Sequence, residues 1–205
     1  MIMKKGILIT IFTFSVLVLM AQDYTKLTEV FRESYLKEKS GKYAEAVTPL
    51  KAFYDANSYE INLRLGWLTY LQGQFTESLG YYNKAIDLMP YAIEPRLGVV
   101  LPASSLGNWD MVMTQYNKIL AIDPKNTVTL YRLGLITYDR KDYTQAYTLF
   151  EKVVNLYPFD YQSLLMLAWT NLKLGKTREA KILFNKALLY SPDDASAKEG
   201  LSLIK

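Results

Sequence analysis

Lys84-Ala85-Ile86-Asp87-Leu88-Met89-Pro90 returns as Lys118-Ile119-Leu120-Ala121-Ile122-Asp123-Pro124, as Lys152-Val153-Val154-Asn155-Leu156-Tyr157-Pro158 and as Lys186-Ala187-Leu188-Leu189-Tyr190-Ser191-Pro192. The four closing prolines are 34 residues apart in a chain that has only 7, so the spacing marks an internal repeat. With that proline at place 32, the repeats run 59–92, 93–126, 127–160 and 161–194. The same frame extends back to 27–58, a unit two residues short, where Gly41-Lys42-Tyr43-Ala44-Glu45-Ala46 parallels Gly73-Gln74-Phe75-Thr76-Glu77-Ser78. Forward, 195–205 opens a further unit that stops after one helix, with Leu201 at the place of Leu65, Leu133 and Leu167. That piece is expected to cap the apolar face of the last unit.

Each unit reads as two helices with a tight turn between them. Leu130, Leu133, Gly134 and Thr137 follow the i, i+3, i+4, i+7 spacing of one helical face. Gly41, Gly73, Gly107 and Gly175 then stand where a helix C-terminus calls for a left-handed residue, and Lys141 is the exception. A second helix turns Ala146, Phe150 and Val153 inward and stops before Pro158, which cannot continue it.

The pattern resembles the tetratricopeptide repeat family over about residues 27–194. The residues that carry the likeness are Leu65-Gly66 with Ser78, Tyr82, Ala85 and Pro90; Leu133-Gly134 with Ala146, Phe150 and Pro158; and Leu167-Ala168 with Ala180, Phe184, Ala187 and Pro192. Gly66, Gly134, Ala168, Ala46, Ala146 and Ala180 fall where paired helices cross, and a large side chain there would hold the backbones apart. The chain departs from the family pattern in places. Asn62, Leu130 and Leu164 replace the aromatic expected before Leu-Gly, and the later Tyr is displaced by one place to Tyr70 and Tyr138. The third unit departs most, with Val100, Val112 and Ile119 at small-residue places and Pro102 inside its first helix. A mid-helix proline removes a backbone hydrogen bond, so a kink or loosened turn is expected near Pro102.

The resemblance implies an all-α fold, a right-handed α-solenoid of helix-turn-helix repeats whose first helices line a concave surface that receives an extended peptide or a partner helix. Carried over by place, the side chains expected on that surface are Phe31 and Tyr35; Leu63, Trp67 and Tyr70; Leu97 and Leu101; Tyr131, Leu135 and Tyr138; Leu165 and Trp169. Arg32, Arg64 and Arg132 recur at the sixth place beside this aromatic stripe, while Gly98 and Met166 hold that place in the other two units. Aromatics with Arg are common interface anchors, and together they suggest a surface for an acidic or C-terminal-carboxylate-bearing segment with apolar anchors. The terminal-carboxylate clamp of chaperone-binding members is absent, because Tyr35 and Arg64 occupy its Asn places and Glu94 one of its Lys places.

Composition narrows the chemistry further. With no Cys and no His among 205 residues, disulfide scaffolds, thiolate zinc sites and Ser–His or Cys–His nucleophiles are excluded. No catalytic residue, metal site or cofactor is expected. Asp193-Asp194 opens the last helix, where acidic side chains cap backbone N–H groups, and the 10 glycines form no phosphate loop. Acidic and basic residues alternate along every unit, so there is no single-sign tract for nucleic acid.

Residues 1–21 read as an export signal, with basic Lys4 and Lys5, the uncharged run from Gly6 to Ala21, and a cut that would leave Gln22 as the new N-terminus. Removing the two lysines lowers the formal charge from +4 to +2. Residues 22–26 are a short lead-in. The expectation is a non-catalytic scaffold, periplasmic or extracellular in a bacterium, with a protein segment as partner and membrane contact only through an uncleaved N-terminus. The alternatives are a membrane-tethered component of an envelope assembly, or an accessory subunit of an enzyme.

Overall fold

The computed structural model describes residues 24–204, and every regular element among them is a helix. The segment 1–21, read above as an export signal, lies outside the described residues. The chain divides into two compact units, Met1–Val112 and Met113–Lys205. The first holds α1 (24–39), α2 (Tyr43–Ala52), α3 (Tyr59–Leu71), α4 (Phe75–Leu88) and α5 (Glu94–Ser105). The boundary falls inside α6 (Trp109–Ile122). The second unit continues with α7 (Thr127–Asp139), α8 (Tyr143–Leu156), α9 (Tyr161–Lys173), α10 (Thr177–Tyr190) and α11 (Ala195–Ser202).

One turn, used five times, sets the geometry of the pairs. Gly41, Gly73, Gly107 and Gly175 have φ of +72°, +75°, +71° and +75°, and Lys141 adopts the same conformation at +64°. In the turn after α3, Gly73 N–H donates to the Tyr70 carbonyl and Gln74 N–H to the Thr69 carbonyl, both at 2.9 Å. The turn after α7 repeats the pair, from Lys141 to Tyr138 and from Asp142 to Thr137. These crossed bonds satisfy carbonyls that the helix end leaves open and reverse the chain in the fewest residues. Lys141 accepts a left-handed backbone that costs an L-residue about 1–2 kcal/mol.

Several helices start on a side-chain cap. Ser58, Asn126, Asp142, Asp160 and Asp194 accept from the backbone N–H of Ile61, Thr129, Gln145, Ser163 and Ala197. Asp194 therefore has the capping role expected of it, while Asp193 pairs with Lys198 at 2.9 Å.

In the first unit Ala46, Val47 and Leu50 of α2 bury against Ile61, Leu65 and Leu68 of α3. Farther along, the Tyr82 ring of α4 lies between two glycines. A Cβ on Gly66 would sit 2.8 Å from that ring and one on Gly98 of α5 2.3 Å from it. Glycine at both positions is thus a condition of bringing α3, α4 and α5 together. The second unit repeats the device, Phe150 lying against Gly134 and Phe184 against Gly200 of α11, where added Cβ atoms would come within 2.6 and 2.1 Å. Ala168, Ala180, Phe184, Ala187 and Ala197 form the core beneath α11, so the terminal helix does cover an apolar face.

Two departures from the family pattern find their reason here. Asn62 is fully buried, and its amide donates to the carbonyls of Ala56 and Ser58 while its oxygen accepts from Tyr54, which ties down the α2–α3 connection. Pro102, near which a kink or loosened turn is expected, lies inside α5, which is helical from Glu94 to Ser105. Pro102 sits in the last turn, and Leu106 N–H still donates to its carbonyl at 3.0 Å, so one missing N–H is accommodated without ending the helix.

Candidate functional site

The face carried by the first helix of each pair holds the aromatic and arginine positions, and the structure gives them different fates. Arg64 is only 6 % exposed. Its guanidinium pairs with Glu38 of α1 at 2.5 Å, its Nε donates to Ser34 Oγ at 3.2 Å, and its Cζ lies 3.8 Å from the centre of the Tyr35 ring. The Trp67 indole N–H also donates to Glu38, at 2.6 Å. One carboxylate thus gathers two side chains of α3 onto α1, and Arg64 is occupied inside the chain. Sequence reading singled out neither Glu38 nor Ser34. Both lie on the preceding first helix, 26 and 30 residues from Arg64, and no local spacing announces such a pair.

Arg32 and Tyr35 remain at the surface, Tyr35 with 54 % of its area exposed. With Phe31, Leu27, Thr28 and Glu60 they line an open hollow of about 400 Å³ on the first unit. The Phe31 and Tyr35 rings are 6.3 Å apart. Trp67 and Tyr70 are half-buried, with ring centres 5.9 Å apart, and Tyr70 continues onto Phe75 at 5.8 Å.

In the second unit Tyr131 and Tyr138 are half-buried, Tyr131 against Phe150 and Tyr138 against Tyr143. Burial pushes both phenols up from their ordinary range. Trp169 packs edge-on against Phe184 and donates to Ser196 Oγ at 2.9 Å, which makes it part of the seat of α11. Arg132 is exposed, and the ion pair found among the described residues of this unit joins Lys198 to Asp193. Arg132 lines a second hollow, of about 350 Å³, together with Tyr131, Tyr157, Asp160, Gln162 and Ser163.

Among the described residues no group of three or more His, Cys, Asp or Glu could hold a metal ion, and no helix is long and apolar enough to cross a membrane.

The tetratricopeptide repeat family matches this chain twice, over residues 31–93 and 137–204, together more than half of its length. Among curated proteins, the CTR9 homologue of Arabidopsis thaliana is 25 % identical over 134 residues, 62 % of this chain and 12 % of that protein. The RNA polymerase-associated protein CTR9 of Caenorhabditis elegans is 27 % identical over 101 residues, 49 % of this chain and 9 % of that one. The chain thus spans about a tenth of these relatives. Among solved structures, a tetratricopeptide repeat protein of Parabacteroides merdae superposes with a TM-score of 0.74 at 23 % identity, covering 88 % of this chain and 72 % of that one. MamA of Desulfovibrio magneticus RS-1 does so with 0.68 at 19 %, covering 82 % and 98 %. These two likenesses concern the fold alone.

Proposed function

We propose that this chain, which belongs to the tetratricopeptide repeat family, is a non-catalytic scaffold that holds a segment of a partner protein on the first-helix faces of its units. The family implies protein partners in general. The finer reading rests on one observation: Arg32, Tyr35 and Arg132 are exposed on those faces beside half-buried aromatic rings, while Arg64 is paired inside the chain. Exposed Arg and Tyr next to rigid rings supply charge-assisted hydrogen bonds and apolar contact to an incoming segment. Trp67 and Trp169 serve mainly to hold α1 to α3 and α9 to α11, because their indole N–H groups are already bonded within the chain.

The apolar run at 6–21 behind Lys4 and Lys5 supports export to the cell envelope or beyond, with cleavage after Ala21. N-terminal sequencing of the protein from native membranes and periplasm tests this. A start at Gln22 is expected, and a retained Met1 in the membrane fraction would favour the tethered form.

Binding is tested by crosslinked capture from envelope fractions with the wild type and with an Arg32→Gln, Tyr35→Ala, Arg132→Gln triple variant, its helicity checked by circular dichroism. A partner held by the wild type and lost from the folded variant is the expected result. Undiminished capture by the variant would move the binding face elsewhere.

A further inference from the structure

The second hollow carries a feature that packing alone leaves unexplained. Ser163, at the start of α9, is 1 % exposed, and its hydroxyl has no hydrogen-bond partner in the protein. Three other buried hydroxyls on the first helices return to the carbonyl four residues back, Thr69 to Leu65, Thr137 to Leu133 and Thr170 to Met166, whereas Thr129, at the same place of α7 as Ser163 in α9, also has no partner. Of these two unpartnered hydroxyl residues, Ser163 is the one that lines a hollow large enough for a side chain. Arg132 lines the same hollow from α7, exposed and outside the unit's ion pair. Asp160 also lines it, but its carboxylate accepts the Ser163 backbone N–H at 2.9 Å as the α9 cap, so that oxygen is already bonded. The ring of Tyr131 supplies an apolar wall for a methylene stem.

We propose that this hollow at the junction of α7, α8 and α9 receives the carboxylate of a glutamate in a bound protein segment, paired with the Arg132 guanidinium and hydrogen-bonded by the Ser163 hydroxyl. The proposal rests on the protein-binding reading above and names the chemistry of the partner. A guanidinium and a hydroxyl are both donors, and a carboxylate is the acceptor-only group that uses both.

The test is a titration of the ¹⁵N-labelled full chain followed by amide shifts, with three probes: acetyl-leucyl-glutamyl-leucinamide, its glutamine counterpart, and N-acetylglutamate. The glutamyl peptide is expected to shift Arg132, Gln162 and Ser163 to saturation, and the glutamine peptide to bind about tenfold more weakly. N-acetylglutamate, lacking the flanking side chains, is expected to bind more weakly than the glutamyl peptide. Arg132→Gln is expected to erase the preference for the glutamyl peptide, and Ser163→Ala to weaken its binding while the spectrum stays folded. Several outcomes overturn the proposal: no saturable shift at these three residues, which leaves the hollow to water; equal affinity for both peptides; a preference that survives Arg132→Gln; binding unchanged by Ser163→Ala; or N-acetylglutamate binding as tightly as the peptide, which points to a free metabolite. Partner capture that withstands Arg132→Gln together with a silent titration removes this proposal and leaves the scaffold reading standing.

Discussion

Arg64 and Arg132 occupy the same place two repeats apart, yet one is buried and tripled up with Glu38, Ser34 and Tyr35 while the other is exposed beside a hollow. Arg64 owes its burial to what α1 offers. Before Arg64 that helix carries Glu38, whose counterpart before Arg132 in the sequence is Ser104, and Ser34, whose counterpart is Val100. An arginine can be buried in a repeat interface when a carboxylate and a small hydroxyl are there to satisfy it. Repetition in sequence therefore does not carry repetition of role.

The largest effect follows from removing the carboxylate. Glu38→Gln leaves Arg64 charged, buried and uncompensated, and is expected to cost about 3 kcal/mol in urea unfolding. Adding Arg64→Met is expected to restore most of that loss, as removing both buried charges commonly does. If the double variant is no more stable than Glu38→Gln alone, the pair is not the staple described here. Tyr35→Ala removes the ring over the guanidinium and is expected to cost about 1 kcal/mol. In the turns the direction reverses: Lys141→Gly removes the left-handed strain and is expected to stabilise by about 1 kcal/mol, whereas any side chain at Gly73 destabilises. Arg132→Gln is expected to change stability by less than about 0.5 kcal/mol, and a larger loss would mean that it too has an internal role.

The smallest expected effect is one of pH. The Tyr161 hydroxyl donates to Asp194, the cap of α11, and that bond holds the phenol up at about 12 against an ordinary 10.0. A group whose folded value is raised stabilises fully below its unfolded value and loses that contribution as pH rises through the folded one. The seat of α11 is therefore expected to loosen between about pH 10 and 12. Phenolate absorbance should show a late-titrating fraction, to which Tyr59 at about 12 also contributes, that falls by one tyrosine in Tyr161→Phe.

What was legible in the sequence was what repeats locally. Prolines 34 apart, glycines at four of five turns and small residues at the helix crossings announce helix pairs, and Lys141 could be recognised as the odd turn because its position was known from the others. Pro102 lies in the last turn of α5, where a proline removes one backbone bond without ending the helix. Half of the site was hidden for a different reason. Glu38 with Arg64, and Asp160 and Ser163 with Arg132, meet only after folding, and their residue types are ordinary on any helix surface. The buried, unpartnered Ser163 hydroxyl leaves no trace in sequence at all.

The central claim is that the recurrent arginines divide into an internal one and open ones. Limited modification of the native chain with phenylglyoxal, followed by peptide mapping, tests it directly. Adducts are expected at Arg32 and Arg132 well before Arg64, with Arg64 reacting as fast as the others only in Glu38→Gln or after unfolding. Modification of Arg64 in the native wild type at the rate of Arg132 would contradict the account.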